Sequence, residues 1–284
     1  MAQTIGNPLS WTAQQLGGAG SHLAAASREI GSHDLTPPRV RYMDMSDIGD
    51  SLRAGWADFQ ACRTDVMAIV LVYPVMGLLL MGLGLQLSLV PLLFPLISGF
   101  AILGPVAAVG LYEMSRQREM GEAPRWGQAF AVMRSPGFGA VLVMGLYLAA
   151  LFMAWMLVAA GIHALTMGAD TPPGLMAFLS QVFGTPSGWT MIVLGCGVGF
   201  LFALGALATS VVSFPLVLDR HVGAPVAVAT SIQVLKKNPV VTLAWGATVA
   251  ALLVLAAIPL MLGFIVVLPV LGHATWHFYR RAVY

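Results

Sequence analysis

Residues 66 to 112 read VMAIVLVYPVMGLLLMGLGLQLSLVPLLFPLISGFAILGPVAAVGLY, 47 residues without one Asp, Glu, Lys or Arg. A helix needs about 20 apolar residues to cross a bilayer, and charge at its centre is costly. This run is too long for one crossing and breaks at Gln86-Leu87-Ser88, so it reads as a helical hairpin. Working outward, Ser135 to Ala169 gives 35 residues free of the same charges, Thr171 to Leu218 gives 48, and Asn238 to Tyr279 gives 42, interrupted only by His273 and His277. Helix-stopping signals fall at Gly168-Ala169-Asp170-Thr171-Pro172-Pro173, at Gly184-Thr185-Pro186-Ser187-Gly188 and near Ile258-Pro259. The prediction is an all-α, polytopic membrane protein with six transmembrane helices in three hairpins, near 66–85, 91–112, 137–163, 189–215, 240–257 and 260–279.

Composition points the same way. Of 284 residues, 58% are hydrophobic and 9% are charged, against roughly 25% in an ordinary soluble domain. With mean hydropathy +0.83 and a formal charge of +2, the chain lacks the basic surface that nucleic acid requires. The expected partners are the lipid bilayer and other membrane proteins or a second copy of the chain, with no nucleic acid.

Orientation follows from the basic residues, which gather on the cytoplasmic side of short loops. All 14 fall in four segments: before span 1, between spans 2 and 3, between spans 4 and 5, and after span 6. Both termini are therefore expected inside, with the one long external segment near 168–188. The first 45 residues hold no apolar stretch of the kind a cleaved signal carries, so none is expected. Residues 1–45 read as a cytoplasmic tail, disordered to about Tyr42, and 46–284 as the membrane domain.

Asp47 and Asp50 suit a helix start, and Ile48, Leu52, Trp56 and Phe59 recur at helical spacing opposite Ser51, Arg53, Asp58 and Gln60. An amphipathic surface helix is predicted there. Trp126, Ala129, Phe130 and Met133 form a second stripe, and Val228, Ile232 and Leu235 a third. Each precedes a basic residue and a span, at Arg63-Thr-Asp, Arg134-Ser-Pro and Lys237-Asn-Pro, which suggests a unit of surface helix plus hairpin used three times. A fourth surface helix, with Leu175, Phe178, Leu179, Val182 and Phe183, is expected on the outer face.

Within the spans, Gly195, Gly199 and Ala203 stand every four residues, where small side chains let another helix approach. Pro74, Pro105, Pro215 and Pro269 predict kinks. Glu113 sits at the inner edge of span 2, placed to pair with Arg116. His273 and His277, at i and i+4, share one helix face and are the only candidate metal ligands, two corners of a site without a third. Trp276, Tyr279 and Arg280 beside them mark an interfacial belt, so no metal and no cofactor is expected. His163 lies at the far end of span 3, too distant in depth for a haem shared with that pair. Cys62 and Cys196 are single thiols at different depths, and Met153 with Met156 is too sparse for Cu(I). Ser210 and Ser213 suit bonds to their own helix. No phosphate loop, nucleophile elbow or paired carboxylates are present, so no catalytic residue is assigned and the protein is not expected to be an enzyme.

Five stretches carry a resemblance: Leu52-Arg-Ala-Gly-Trp-Ala-Asp-Phe59, Gly104-Pro-Val-Ala-Ala-Val-Gly-Leu-Tyr-Glu113, Arg134-Ser-Pro136, Val212-Ser-Phe-Pro-Leu-Val-Leu-Asp-Arg220 and Val267-Leu-Pro-Val-Leu-Gly-His-Ala-Thr-Trp-His277. Over about residues 38–284 the chain resembles a bacterial family of predicted integral membrane proteins of unknown function. The resemblance implies an inner-membrane location and supplies no activity. Some relatives carry the label of a cytochrome c oxidase subunit, but a haem–copper core needs about six membrane histidines and three are available here. The resulting expectation is a non-enzymatic scaffold or accessory subunit for other membrane proteins, respiratory ones included. The alternative is a small uncoupled channel or carrier, which would need a polar-lined cavity near the midplane.

Overall fold

The fold is that of a computed structural model, which describes residues 37–70, 75, 77–79, 82, 89–122, 131–168, 174–259 and 261–284. Among these residues every element is helical, apart from an isolated bridge between Val40 and Val283. Helix α1 runs Met45–Val70. The backbone N–H of Asp44 donates to Asp47 Oδ2 at 2.8 Å, half of a capping box, so the predicted helix start is met. The next run comprises a 3-10 turn at Val90–Leu92, α2 (Leu93–Phe100), a second turn at Ala101–Leu103, α3 (Gly104–Ala107) and α4 (Val109–Glu119). Pro91 and Pro105 open their short elements. A proline lacks the N–H that would continue a helix through it, so the expected single span 91–112 is a chain of pieces.

After a turn at Ala131–Arg134 come α5 (Phe138–Met167) and α6 (Leu175–Gly184). Helix α7 (Pro186–Ser210) starts at Thr185, whose Oγ1 accepts from the Gly188 N–H at 3.1 Å, with Pro186 in the first turn. The expected span 189–215 breaks at Val211–Val212, because Pro215 has no N–H for the Val211 carbonyl. There α8 (Ser213–Arg220) begins. Helices α9 (Ala224–Lys237) and α10 (Pro239–Ala257) meet at Asn238, and α11 (Phe264–Ala282) ends the chain with Pro269 inside it.

Four helical runs are long and apolar enough to cross a membrane: Val90–Glu119, Phe138–Met167, Pro186–Arg220 and Pro239–Ala257. Most of the expected span 66–85 lies outside the described residues. The expected span 260–279 is helical from Phe264, but its second half carries His273, His277, Arg280 and Arg281 and is not among the four. Burial is inverted relative to a soluble protein. In the most apolar window of Pro186–Arg220 only 6% of residues are buried, and Leu157, Leu165 and Val193 are exposed, as surfaces facing hydrocarbon would be. The tight core lies instead at one end, where Phe214, Leu216, Val217, Ala227, Trp276 and Phe278 are buried. Trp245 stacks on Phe278 there at 4.8 Å and 20°.

Residues 37–44, which composition places in the disordered tail, form an ordered strap. The Arg41 N–H donates to the Ala282 carbonyl at 2.8 Å and that of Tyr284 to the Arg39 carbonyl at 3.0 Å. Residues 1–36 lie outside the described residues. Of the proposed threefold unit, α9 precedes α10 as expected, whereas α1 continues past Arg63 as one helix, and most of the stripe 126–133 lies outside the described residues. Helix α6 covers the residues predicted for the fourth surface helix and buries Phe178 and Val182 against Val90.

Candidate functional site

Helix α11 packs chiefly along α1, and also against α4, α8 and α10. Two glycines set the spacing. A Cβ on Gly55 would stand 2.5 Å from the Ala274 backbone nitrogen, and one on Gly272 would stand 2.5 Å from Leu111 Cδ1. The helices therefore touch backbone to side chain, and residues one turn away are brought together. Asp58 is one turn beyond Gly55, His273 and His277 flank Ala274, and Ser115 is one turn beyond Leu111.

These four side chains, with Arg118, make a continuous network in which Asp58, Ser115 and His273 are buried and His277 and Arg118 partly exposed. Asp58 is 6% exposed and His273 is fully buried. Asp58 Oδ1 accepts from Arg118 Nη1 at 2.6 Å. Its Oδ2 accepts from Ser115 Oγ at 2.7 Å and from His277 Nε2 at 2.8 Å. Ser115 Oγ also lies 2.8 Å from His273 Nδ1. A hydroxyl has one proton, and an ionised carboxylate can only accept. With the serine proton on Asp58, His273 Nδ1 must donate to Ser115, which leaves the lone pair on Nε2. That nitrogen is buried without a hydrogen-bond partner among the described residues.

Burial opposes the charge on Asp58, but hydrogen bonds from His277 and Ser115, helped by the fields of His277 and His273, outweigh it and hold the carboxyl below its ordinary 3.8. The order of groups is carboxylate, serine, imidazole. A Ser-His-Asp triad has the imidazole in the middle, taking the serine proton while the carboxylate orients the ring. Here the carboxylate engages the hydroxyl directly, and the network joins α1, α4 and α11.

Two further polar groups extend the seam. Glu113 accepts both Arg116 Nε (2.8 Å) and Nη2 (2.7 Å), together with Gln117 Nε2 at 2.8 Å, so the pair expected from spacing is present. Glu119 accepts from Trp276 Nε1 and Arg280 Nε, both at 3.0 Å. Arg280 also reaches Asp219, which accepts from Tyr279 Oη at 2.5 Å. Trp276, Tyr279 and Arg280, expected in an interfacial belt, are thus bonded within the protein.

Residues 93–219 match the family model described as predicted integral membrane protein (DUF2189). The chain is an integral membrane protein with several apolar helices. No curated protein and no solved structure matches it. The matched segment carries Ser115, Arg118, Glu119 and Asp219, while Asp58 and α11 lie outside it.

The candidate pair His273 and His277 does share one face of α11, with one ring nitrogen of each engaged, His273 Nδ1 by Ser115 and His277 Nε2 by Asp58. A carboxylate absent from that depth in the linear pattern, Asp58, is supplied by α1. Among the described residues no three His, Cys, Asp or Glu side chains are grouped to hold a metal ion. Cys62 is buried and Cys196 exposed. Of the small-residue ladder, a Cβ on Gly199 would stand 3.0 Å from Trp155, one on Gly195 would meet nothing within 4 Å, and Ala203 is exposed. Asp58, Ser115, Arg118 and Gly55 were not legible as a site. The signal was there: Ile48, Ser51, Leu52, Gly55, Asp58, Phe59 and Cys62 follow one helical face, and all but the half-buried Leu52 are buried. Three of them are small or polar, so a hydrophobic stripe passes them over and selects Trp56, which is 44% exposed.

Proposed function

We propose that the protein is a non-enzymatic scaffold or accessory subunit of a bacterial inner membrane, crossing it six times with both termini on the cytoplasmic side. The observation that carries this reading is the Asp58 carboxylate, whose two oxygens are taken up by Arg118, Ser115 and His277. An ion-coupled carrier keeps such a carboxylate available to its ion or proton; here it ties three helices together. The apolar helices keep open faces, including the space at Gly195 and the exposed Ala203, where another membrane helix would fit. Orientation rests on the 14 basic residues in four segments of one side.

Purified from native membranes in mild detergent, the protein should run with a stoichiometric membrane partner or a second copy. Proteoliposomes holding it should swell in small neutral solutes no faster than protein-free ones. A lone monomer with faster swelling would replace the scaffold by a small uncoupled channel or carrier.

A further inference from the structure

We propose that the strap and the end of α9 form a headgroup site for an anionic phospholipid. The argument begins with charge pairing. Of the Lys and Arg residues whose side chains are described, Arg53, Arg116, Arg118, Arg220, Arg280 and Arg281 each have an acidic partner within 4.0 Å. Arg39, Arg41, Lys236 and Lys237 have none among the described residues, and all four are exposed. Among the described side chains the unmatched positive charge thus lies on the strap and the end of α9.

That place is built. Lys237 Nζ donates to the Val40 carbonyl at 2.7 Å and stands 4.3 Å from the centre of the Tyr42 ring. Asn238 accepts from the Met43 N–H and donates to the Arg41 carbonyl, both at 2.9 Å. These bonds fix the strap against the helix end and leave a dent of about 340 Å³ lined by Val40, Gln233, Lys236 and Lys237. Its depth in the membrane follows from the chain: Pro239, two residues after Lys237, opens a run able to cross the bilayer. Directly beyond, Val240 is 70% exposed, and Tyr42 supplies the exposed aromatic ring typical of headgroup level.

An anionic phospholipid satisfies both halves, its phosphate meeting the ammonium and guanidinium groups and its acyl chains lying along α10. A free phosphate would use only the first half. The site does not depend on whether the protein gathers partners, since it involves neither the polar seam nor the Gly195 face.

The test uses the full chain, delipidated in detergent and titrated with dioleoyl phosphatidylglycerol, dioleoyl phosphatidylcholine or glycerol phosphate, with bound species counted by native mass spectrometry. Phosphatidylglycerol should be retained in preference to phosphatidylcholine. Neutralising Lys236 and Arg41 together, as K236Q/R41Q, should weaken that retention about fivefold per charge removed, with the lipid-free melting temperature unchanged. The paired and exposed Arg53, as R53Q, should leave retention intact. Equal binding of the two lipids, or undiminished phosphatidylglycerol binding in the double variant, would overturn the proposal. Glycerol phosphate binding as tightly as the whole lipid would overturn it too, by assigning the dent to a soluble anion.

Discussion

Asp58 on α1 and His277 on α11 are separated by 219 positions in the chain and by 2.8 Å in the fold. Between them they close the bundle at its charged end. The same carboxylate binds Ser115 and Arg118 on α4, so one buried group joins three helices. Replacing Asp58 with Asn keeps the shape but removes the charge that Arg118 and His277 bond to. A loss of about 1.5–3 kcal/mol is expected, the range for hydrogen bonds to a charged group. Thermal denaturation in a fixed detergent measures it, and a D58N protein as stable as the parent would show that the network contributes nothing.

The lowered pKa of Asp58 sets the direction of a pH effect. Its carboxyl is held below 3.8 in the folded protein, so the unfolded chain takes up a proton first as pH falls. The stabilisation is complete above that value and disappears as pH drops through it towards the folded pKa. The parent should lose melting temperature between pH 5 and pH 3 (a window of about one unit either side of the free carboxyl) by more than D58N does. Parallel curves for the two proteins would show that Asp58 is not the group responsible.

Gly55 admits no side chain, because Ala274 backbone atoms lie 2.5 to 2.7 Å from where its Cβ would be. Backbone cannot step aside as a flexible side chain can. Gly55→Ala should cost about 1–3 kcal/mol by overpacking and loosen the Asp58–His277 contact with it. Gly161→Ala, where nothing lies within 4 Å, should be neutral or slightly stabilising. Denaturation of the two side by side separates close approach from any general intolerance of glycine replacement.

Gly195 and Gly199 divide the small-residue ladder by what they meet. At Gly199 an added Cβ would stand 3.0 Å from Trp155, whereas at Gly195 it meets nothing in the chain. Gly199→Leu should therefore destabilise the monomer by about 1–3 kcal/mol. Gly195→Leu should leave the monomer intact and reduce its association with a second copy or partner. Melting temperature and sedimentation in detergent give the two readouts, and normal assembly of the Gly195 variant would remove that face from the scaffold reading.

Topology can be checked where the structure offers exposed reporters. Ser187 before the second turn of α7 and Gln233 on α9 are both exposed. In a background with Cys196 replaced by Ser, Ser187→Cys should react with an impermeant thiol reagent on intact spheroplasts. Gln233→Cys should react only once the cells are opened. Gln117, equally polar in sequence, is buried against Glu113 and would report burial instead. Labelling of Gln233→Cys in intact cells would invert the orientation.

The membrane class, the helical content and the Glu113–Arg116 pair were legible because each depends on neighbours in sequence: long charge-free runs, helix stops and an i, i+3 spacing. The breaks at Val211 and within 90–109 were legible in part, since prolines mark them but do not say whether a helix bends or ends. Asp58 was not legible. Its helix offered two candidate faces, and linear polarity assigned it to the solvated one, because burying a carboxylate is unfavourable until Arg118, Ser115 and His277 are present to bond it. Those partners lie 57 to 219 positions away, and a periodicity of 3.6 residues carries no information about them. The ordered strap is of the same kind, since Arg39 and Arg41 gain their backbone bonds only when the C-terminus arrives beside them. Lipid exposure is decided by the average polarity of a segment, which the sequence alone determines. The polar seam and the unmatched basic strap are decided by which segments meet, and that was settled only by the tertiary structure.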